Sequence, residues 1–205
     1  MVNPQPESVA AQCAPPGEAG SRPAGLPLSI FLVGMPGAGK TTIGRGLARA
    51  LARTFIDVDH ELEQRCGVRI PVIFDLEGEA GFRQRETCMI DECSRKPGIV
   101  LATGGGAVLS ADNRRMLRER GLVVYLRTRP ADLYARTRHD RNRPLLQTAD
   151  PMGTLDRLLA TREPLYREIA HLTVDTGQVP VSHLVNRILP MLRLYSSEPE
   201  LLCRK

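Results

Sequence analysis

At 205 residues, 42% of them hydrophobic and 25% charged, the chain has a globular composition and the length of one well-cored domain, which excludes the collagen-like and wholly disordered classes. The net charge of +5 comes with only 4% aromatic residues and no basic run interleaved with stacking side chains, which argues against nucleic-acid binding. No apolar run approaches the ~20 residues that cross a bilayer, and the N-terminus lacks the basic-then-apolar order of a secretory signal, so a cytoplasmic protein with no membrane partner is expected.

Residues 1–27 are rich in Pro, Ala and Gly without a periodic apolar pattern, and such a segment cannot offset its ordering entropy. A disordered tail is expected; Glu7, Glu18 and the scarcity of arginine argue against a plastid transit peptide. From residue 28 the run LSIFLV reads as a short buried strand, and residues 40–53 carry apolar side chains at helical spacing. TFIDVD is a second strand. Helical segments follow at 61–66, 71–76 and 79–94, with Pro71 suited to a first helical turn. Then come strand GIVLAT, a glycine triplet, a helix over 111–120, strand LVVYLR and a helix over 131–138. A polar basic loop, a helix over 151–169, strand HLTVDT and a helix over 181–195 complete the series, leaving residues 196–205 as a C-terminal tail. Alternating strands and helices predict an α/β fold with a parallel sheet covered on both faces.

The only lysines are Lys40, Lys96 and Lys205, so arginine supplies nearly all the positive charge. Its planar fork suits anionic ligands, although compositional drift explains the bias equally well. The five cysteines include no CxxC pair and no histidine at zinc-site spacing. Lys40 closes the sequence GMPGAGKT (34–41), which matches GxxxxGK[ST] directly after a strand and directly before a helix, the context the motif requires. In such a loop the backbone N–H groups of Gly37, Ala38, Gly39, Lys40, Thr41 and Thr42 converge on phosphate oxygens at the positive end of a helix. The Lys40 ammonium reaches the outer phosphates of ATP or GTP, and the Thr41 hydroxyl is offered to Mg2+. No NKxD base-reading motif is present, and Thr103 and Gly104 stand where a strand-end carboxylate would be expected. The substitutes are Asp57 and Asp59, which point the same way if both lie on the second strand.

Five further blocks, DVDHELEQRCG, IFDLEGEAGFRQRE, LATGGGAV, RNRPLL and REPLYREIA…VDT, follow the phosphate loop in an order and spacing that resembles the shikimate kinases over roughly residues 28–195. The resemblance implies transfer of the γ-phosphoryl group of ATP to the 3-hydroxyl of shikimate. It also implies a three-layer P-loop kinase fold, with a five-stranded parallel sheet flanked by helices and a mobile lid. By the same resemblance Asp59 bonds the substrate hydroxyls and accepts a proton, Asp57 approaches Mg2+ through water, and Arg83 and Arg162 bind the substrate carboxylate. Gly104, Gly105 and Gly106 offer amides to the substrate, and Ile70, Phe74, Phe82, Pro144 and Leu145 surround its ring. Arg143 reaches the transferring phosphate and Arg136 lies near adenine. Glu86, one turn beyond Arg83, is placed to hold that guanidinium. Bland alternatives exist for several of these: Asp59 as a helix N-cap, Asp57 as a strand-end acceptor, Phe74 and Ile70 as core. Competing functions are a gluconate or nucleoside monophosphate kinase using the same loop, or a kinase-like module without activity. A monomer with small-molecule partners is expected.

Overall fold

The run Ser29–Val33 forms β1, buried at all five positions, as an almost uninterrupted apolar strand must be when sheet neighbours flank it on both sides. In the computed structural model, which describes residues 28–138 and 150–197, β1 is the middle of a five-stranded parallel sheet. The other strands are β2 (Thr54–Asp57), β3 (Ile99–Ala102), β4 (Gly121–Arg127) and β5 (Leu172–Asp175), in the order β2-β3-β1-β4-β5. The central strands are buried throughout, whereas β5 alternates buried and exposed as an edge strand does. The expected tail of residues 1–27, the basic segment with Arg143, Pro144 and Leu145, and residues 198–205 lie outside the described residues.

Helices α1 (Lys40–Ala50), α2 (Val58–Cys66), α3 (Ile70–Ser94), α4 (Ala111–Arg120), α5 (Pro130–Thr137) and α6 (Pro151–Ile169) make the crossovers, and α7 (Val181–Ser197) follows the last strand. Leu32 faces α1 so closely that a Cβ on Gly44 would lie 3.0 Å from its side chain and 2.5 Å from the Phe55 ring. Leu32 pairs with Val124, so Tyr125, the next residue of β4, points to the opposite face. There it stacks on Tyr166 of α6, with ring centroids 5.0 Å apart and planes 19° apart. Helices therefore cover both sides, as the sequence pattern predicts.

Two boundaries differ from expectation in ways that matter to the site. The second strand stops at Asp57, and Val58 already belongs to α2, because the Asp57 side chain caps that helix by accepting from the Asp59 N–H at 3.2 Å. Asp59 therefore sits in the first turn of α2, not on the strand, and the capping role considered for it falls to Asp57. The two helical segments expected at 71–76 and 79–94 join in α3 across a break at Gly78, whose φ of 69° and ψ of −176° interrupt the helix. A bidentate ion pair from Arg85 to Glu77, at 2.6 and 2.7 Å, spans that break.

Candidate active site

The phosphate loop follows β1, Asp57 ends β2 and the glycine triplet follows β3, so all three lie at the carboxyl ends of strands, where parallel α/β folds bind ligands. The loop after β1 turns through Gly34, Gly37 and Gly39, with φ of 145°, 85° and 93°, a region that glycine enters without penalty. Space is restrictive as well, since a Cβ on Gly37 would lie 2.5 Å from a methyl group of Thr137. Lys40 opens α1 and folds its ammonium back on the loop, donating to the carbonyls of Gly34 at 2.8 Å and Met35 at 3.0 Å. The buried charge thereby braces the cradle it belongs to. Arg136 of α5 joins the same loop to the far end of the sheet, donating to the Gly37 and Thr176 carbonyls at 3.3 Å each and to the Gly177 carbonyl.

Beside the loop, the Thr41 hydroxyl donates to Asp57 Oδ2 at 2.7 Å, which brings one hydroxyl and one carboxylate together at the start of α1. Asp59, a turn away, is pushed up to about 6 by burial first, then by the charges of Asp57 and Glu86, against the pull of Lys40. Glu86 is 1% exposed; its Oε2 accepts from Arg83 Nη1 at 2.7 Å, while Oε1 has no hydrogen-bond partner among the described residues. Burial raises its pKa, opposed by Arg83 and Arg162. Arg83 also donates to the exposed Glu79 at 3.1 and 3.3 Å, so the holding role expected of Glu86 is seen, with Glu79 as an additional partner.

The glycine triplet after β3 runs between these groups. A Cβ on Gly104 would collide with Glu86 Oε1 and come within 3.0 Å of Asp59 Oδ1; one on Gly105 would lie 2.6 Å from the Pro36 ring, and one on Gly106 2.5 Å from the Arg83 guanidinium. Three close approaches in succession account for three glycines where a turn alone needs fewer. Thr103, just before them, is structural: its hydroxyl donates to the Leu32 carbonyl at 3.2 Å. Arg162 of α6 is 5% exposed and makes no ion pair with a carboxylate among the described residues, although it acts on Glu86 and Tyr166 electrostatically. A buried cation without a paired carboxylate is costly, and such a group is suited to receiving an anionic ligand. Phe74 and Phe82 meet at 4.6 Å between centroids; Phe82 is buried while Phe74 keeps 37% of its surface exposed.

Tyr166 was given no role by the sequence, yet its hydroxyl donates to the Gly105 carbonyl at 2.5 Å. The available signal was its position four residues after Arg162, which puts both on one face of a helix.

The Asp59 pKa has a consequence for the nucleotide-free and metal-free protein. Its folded value of about 6 lies above the ordinary 3.8, so between those values the folded state holds the proton more tightly than the unfolded chain. The associated stability is fully present below pH ~4, is lost as pH rises through about 6, and stays lost above it. Asp59→Asn should therefore stabilise the apo protein at pH 8 by on the order of 1–3 kcal/mol, with the gain vanishing near pH 4. Thermal unfolding at both pH values checks this, and an equal or lower melting temperature at pH 8 would contradict it.

Comparison with known proteins gives one family. A family model described as shikimate kinase matches residues 36–193. A shikimate kinase of Bordetella avium (strain 197N) is 64% identical over 171 residues, covering 83% of this chain and 82% of that protein. The solved structure of shikimate kinase from Acinetobacter baumannii in complex with shikimate matches with a TM-score of 0.79 at 50% identity, covering 81% of this chain and 93% of that one. A gluconokinase from Sinorhizobium meliloti 1021 matches at a TM-score of 0.56 and 20% identity, covering 87% of this chain and 99% of that one, a likeness of fold alone.

Proposed function

The chain belongs to the shikimate kinase family, and from that premise we propose how its residues divide the work of moving the γ-phosphoryl group of ATP to the 3-hydroxyl of shikimate. The phosphate loop from Gly37 to Thr42 holds the phosphates of ATP, and Lys40 exchanges the loop carbonyls for phosphate oxygens. Arg136 lies at the adenine side. Arg162 and Arg83 take the shikimate carboxylate with the amides of Gly104, Gly105 and Gly106. Asp59 accepts hydrogen bonds from the ring hydroxyls and receives the proton that the attacking 3-hydroxyl gives up as its oxygen bonds to phosphorus. The observation that carries this assignment is the buried Arg162, which makes no ion pair among the described residues and acts on Glu86, the carboxylate against which Gly104 and Arg83 are set.

Mg2+ fits the donors present. The Thr41 hydroxyl and the Asp57 carboxylate offer hard oxygen at one spot, and Mg2+ takes few protein ligands, keeping waters and substrate phosphates for the rest. Thr41 would hold it directly and Asp57 through water; when bound, it supplies charge neutralisation across the phosphates. Residues 28–195 form the kinase domain, which acts as a monomer on its small-molecule substrates. No helix of the described residues is long and apolar enough to cross a membrane. ATP as phosphoryl donor supports a cytoplasmic setting.

An ADP-release assay with shikimate, quinate and gluconate as acceptors tests the reading. Turnover should be fastest with shikimate and should require added Mg2+. Faster ADP release with gluconate would overturn the acceptor assignment, and no release with any acceptor would favour a binding module.

A further inference from the structure

The geometry points to Tyr166 as a positioning residue for phosphoryl transfer, one that fixes the spacing between the loop holding the donor and the loop holding the acceptor; the inference rests on the kinase reading above. Tyr166 is wholly buried in α6, and its hydroxyl is the group that meets the triplet's middle carbonyl, at 2.5 Å from Gly105 O. The same hydroxyl lies 3.9 Å from the sulfur of Met35, inside the phosphate loop. Gly105 is therefore held from two directions: its carbonyl by Tyr166, and its α-carbon by Pro36, whose ring would stand 2.6 Å from any Cβ placed there. Pro36 joins the acceptor loop to the donor loop directly, and the Tyr166 hydroxyl does so from α6 by meeting both Gly105 and Met35.

The peptide unit linking Gly105 to Gly106 is planar and trans, so its N–H points opposite to its carbonyl. Fixing the Gly105 carbonyl on Tyr166 therefore fixes the direction of the Gly106 N–H, which makes no hydrogen bond among the described residues. Arg162 lies one helical turn before Tyr166 on the same face, so a single helix surface carries the carboxylate-binding cation and the aiming of that amide. The ring itself is locked by its stack on Tyr125, whose own hydroxyl is buried without a hydrogen-bond partner among the described residues and whose pKa burial pushes up to about 12. The two tyrosines differ in one respect that matters: among the described residues the Tyr166 hydroxyl is bonded and the Tyr125 hydroxyl is not.

Tyr166→Phe keeps the ring and its stack but releases the carbonyl. With acceptor and donor no longer held in register, kcat for shikimate should fall by roughly ten- to a hundredfold. The Michaelis constant for ATP and the slow acceptor-free hydrolysis of ATP should stay within twofold of wild type. Gly105→Ala, which forces Pro36 away with Tyr166 intact, should lower kcat for shikimate by a similar factor and serves if Tyr166→Phe does not fold. Tyr125→Phe should leave all kinetic constants unchanged and raise the melting temperature by roughly 2–4 °C, since it deletes only a buried unpaired hydroxyl. Wild-type kcat in Tyr166→Phe, with only a lower melting temperature, would reduce Tyr166 to a packing residue. A parallel rise in the ATP constant would also overturn the proposal, by making the effect general to the phosphate loop. If wild-type protein fails to turn over shikimate, the acceptor assignment falls, and the comparison is run with the acceptor that wild type does use.

Discussion

Replacing Lys40 with methionine is expected to lower kcat by on the order of a thousandfold while leaving thermal unfolding cooperative. The ammonium is buried and bonded to the carbonyls of Gly34 and Met35, so it is positioned before any phosphate arrives and needs little rearrangement to meet charge developing on the transferring group. Methionine fills a similar volume without the charge, and the three loop glycines retain their turn. Steady-state kinetics alongside calorimetry checks this; a variant with wild-type kcat would remove Lys40 from the reaction.

Arg162→Met is expected to act in two opposite directions. The affinity for shikimate should fall strongly, since leaving a buried carboxylate without its cation costs roughly 2–5 kcal/mol, on the order of 30- to several thousandfold. The ligand-free protein should melt higher by a few degrees, because a buried charge with no ion pair among the described residues is exchanged for an apolar side chain of similar length. Equilibrium binding of shikimate and apo melting temperature measure the two effects independently. If binding held within threefold of wild type, the Arg162 charge would be serving Glu86 instead.

The sheet and most of the helices were legible because their signals are local: an apolar run for β1, helical spacing for α1, proline at the first turn of α3. The phosphate loop was legible for the same reason, being a contiguous stretch whose chemistry depends on backbone geometry that glycines impose. Asp57 and Asp59 were identified but placed wrongly relative to each other, since alternation along TFIDVD gives no warning that the Asp57 side chain will cap a helix and end the strand. The break at Gly78 was visible as a gap between two helical patterns, whereas the Arg85–Glu77 ion pair that spans it was not. What the sequence could not supply was distance across the fold. The buried charge of Arg162 and the Glu86 oxygen, both without a paired group among the described residues, and the Tyr166 contact with Gly105 all depend on α3 and α6 converging on one loop, and nothing in the spacing of residues 83, 86, 105, 162 and 166 encodes that meeting.

The strand order also dictates when the chain can acquire its activity during synthesis. β1 leaves the ribosome first among the strands but has no neighbour in sequence to pair with: Ile30 must wait for Val100 on one side and Leu122 on the other. Thr54 likewise waits for Ile99, and Val124 for Leu172. At about 5–20 residues per second, this largely apolar strand spends several seconds without its partners. Pairings so remote along the chain make for slow folding, because loop closure is unfavourable until the contacts it permits are formed. The phosphate loop inherits this delay. Gly34 is shaped against the Leu126 carbonyl, and β1 ends beside Thr103, so the first functional motif to be translated is among the last to take its shape.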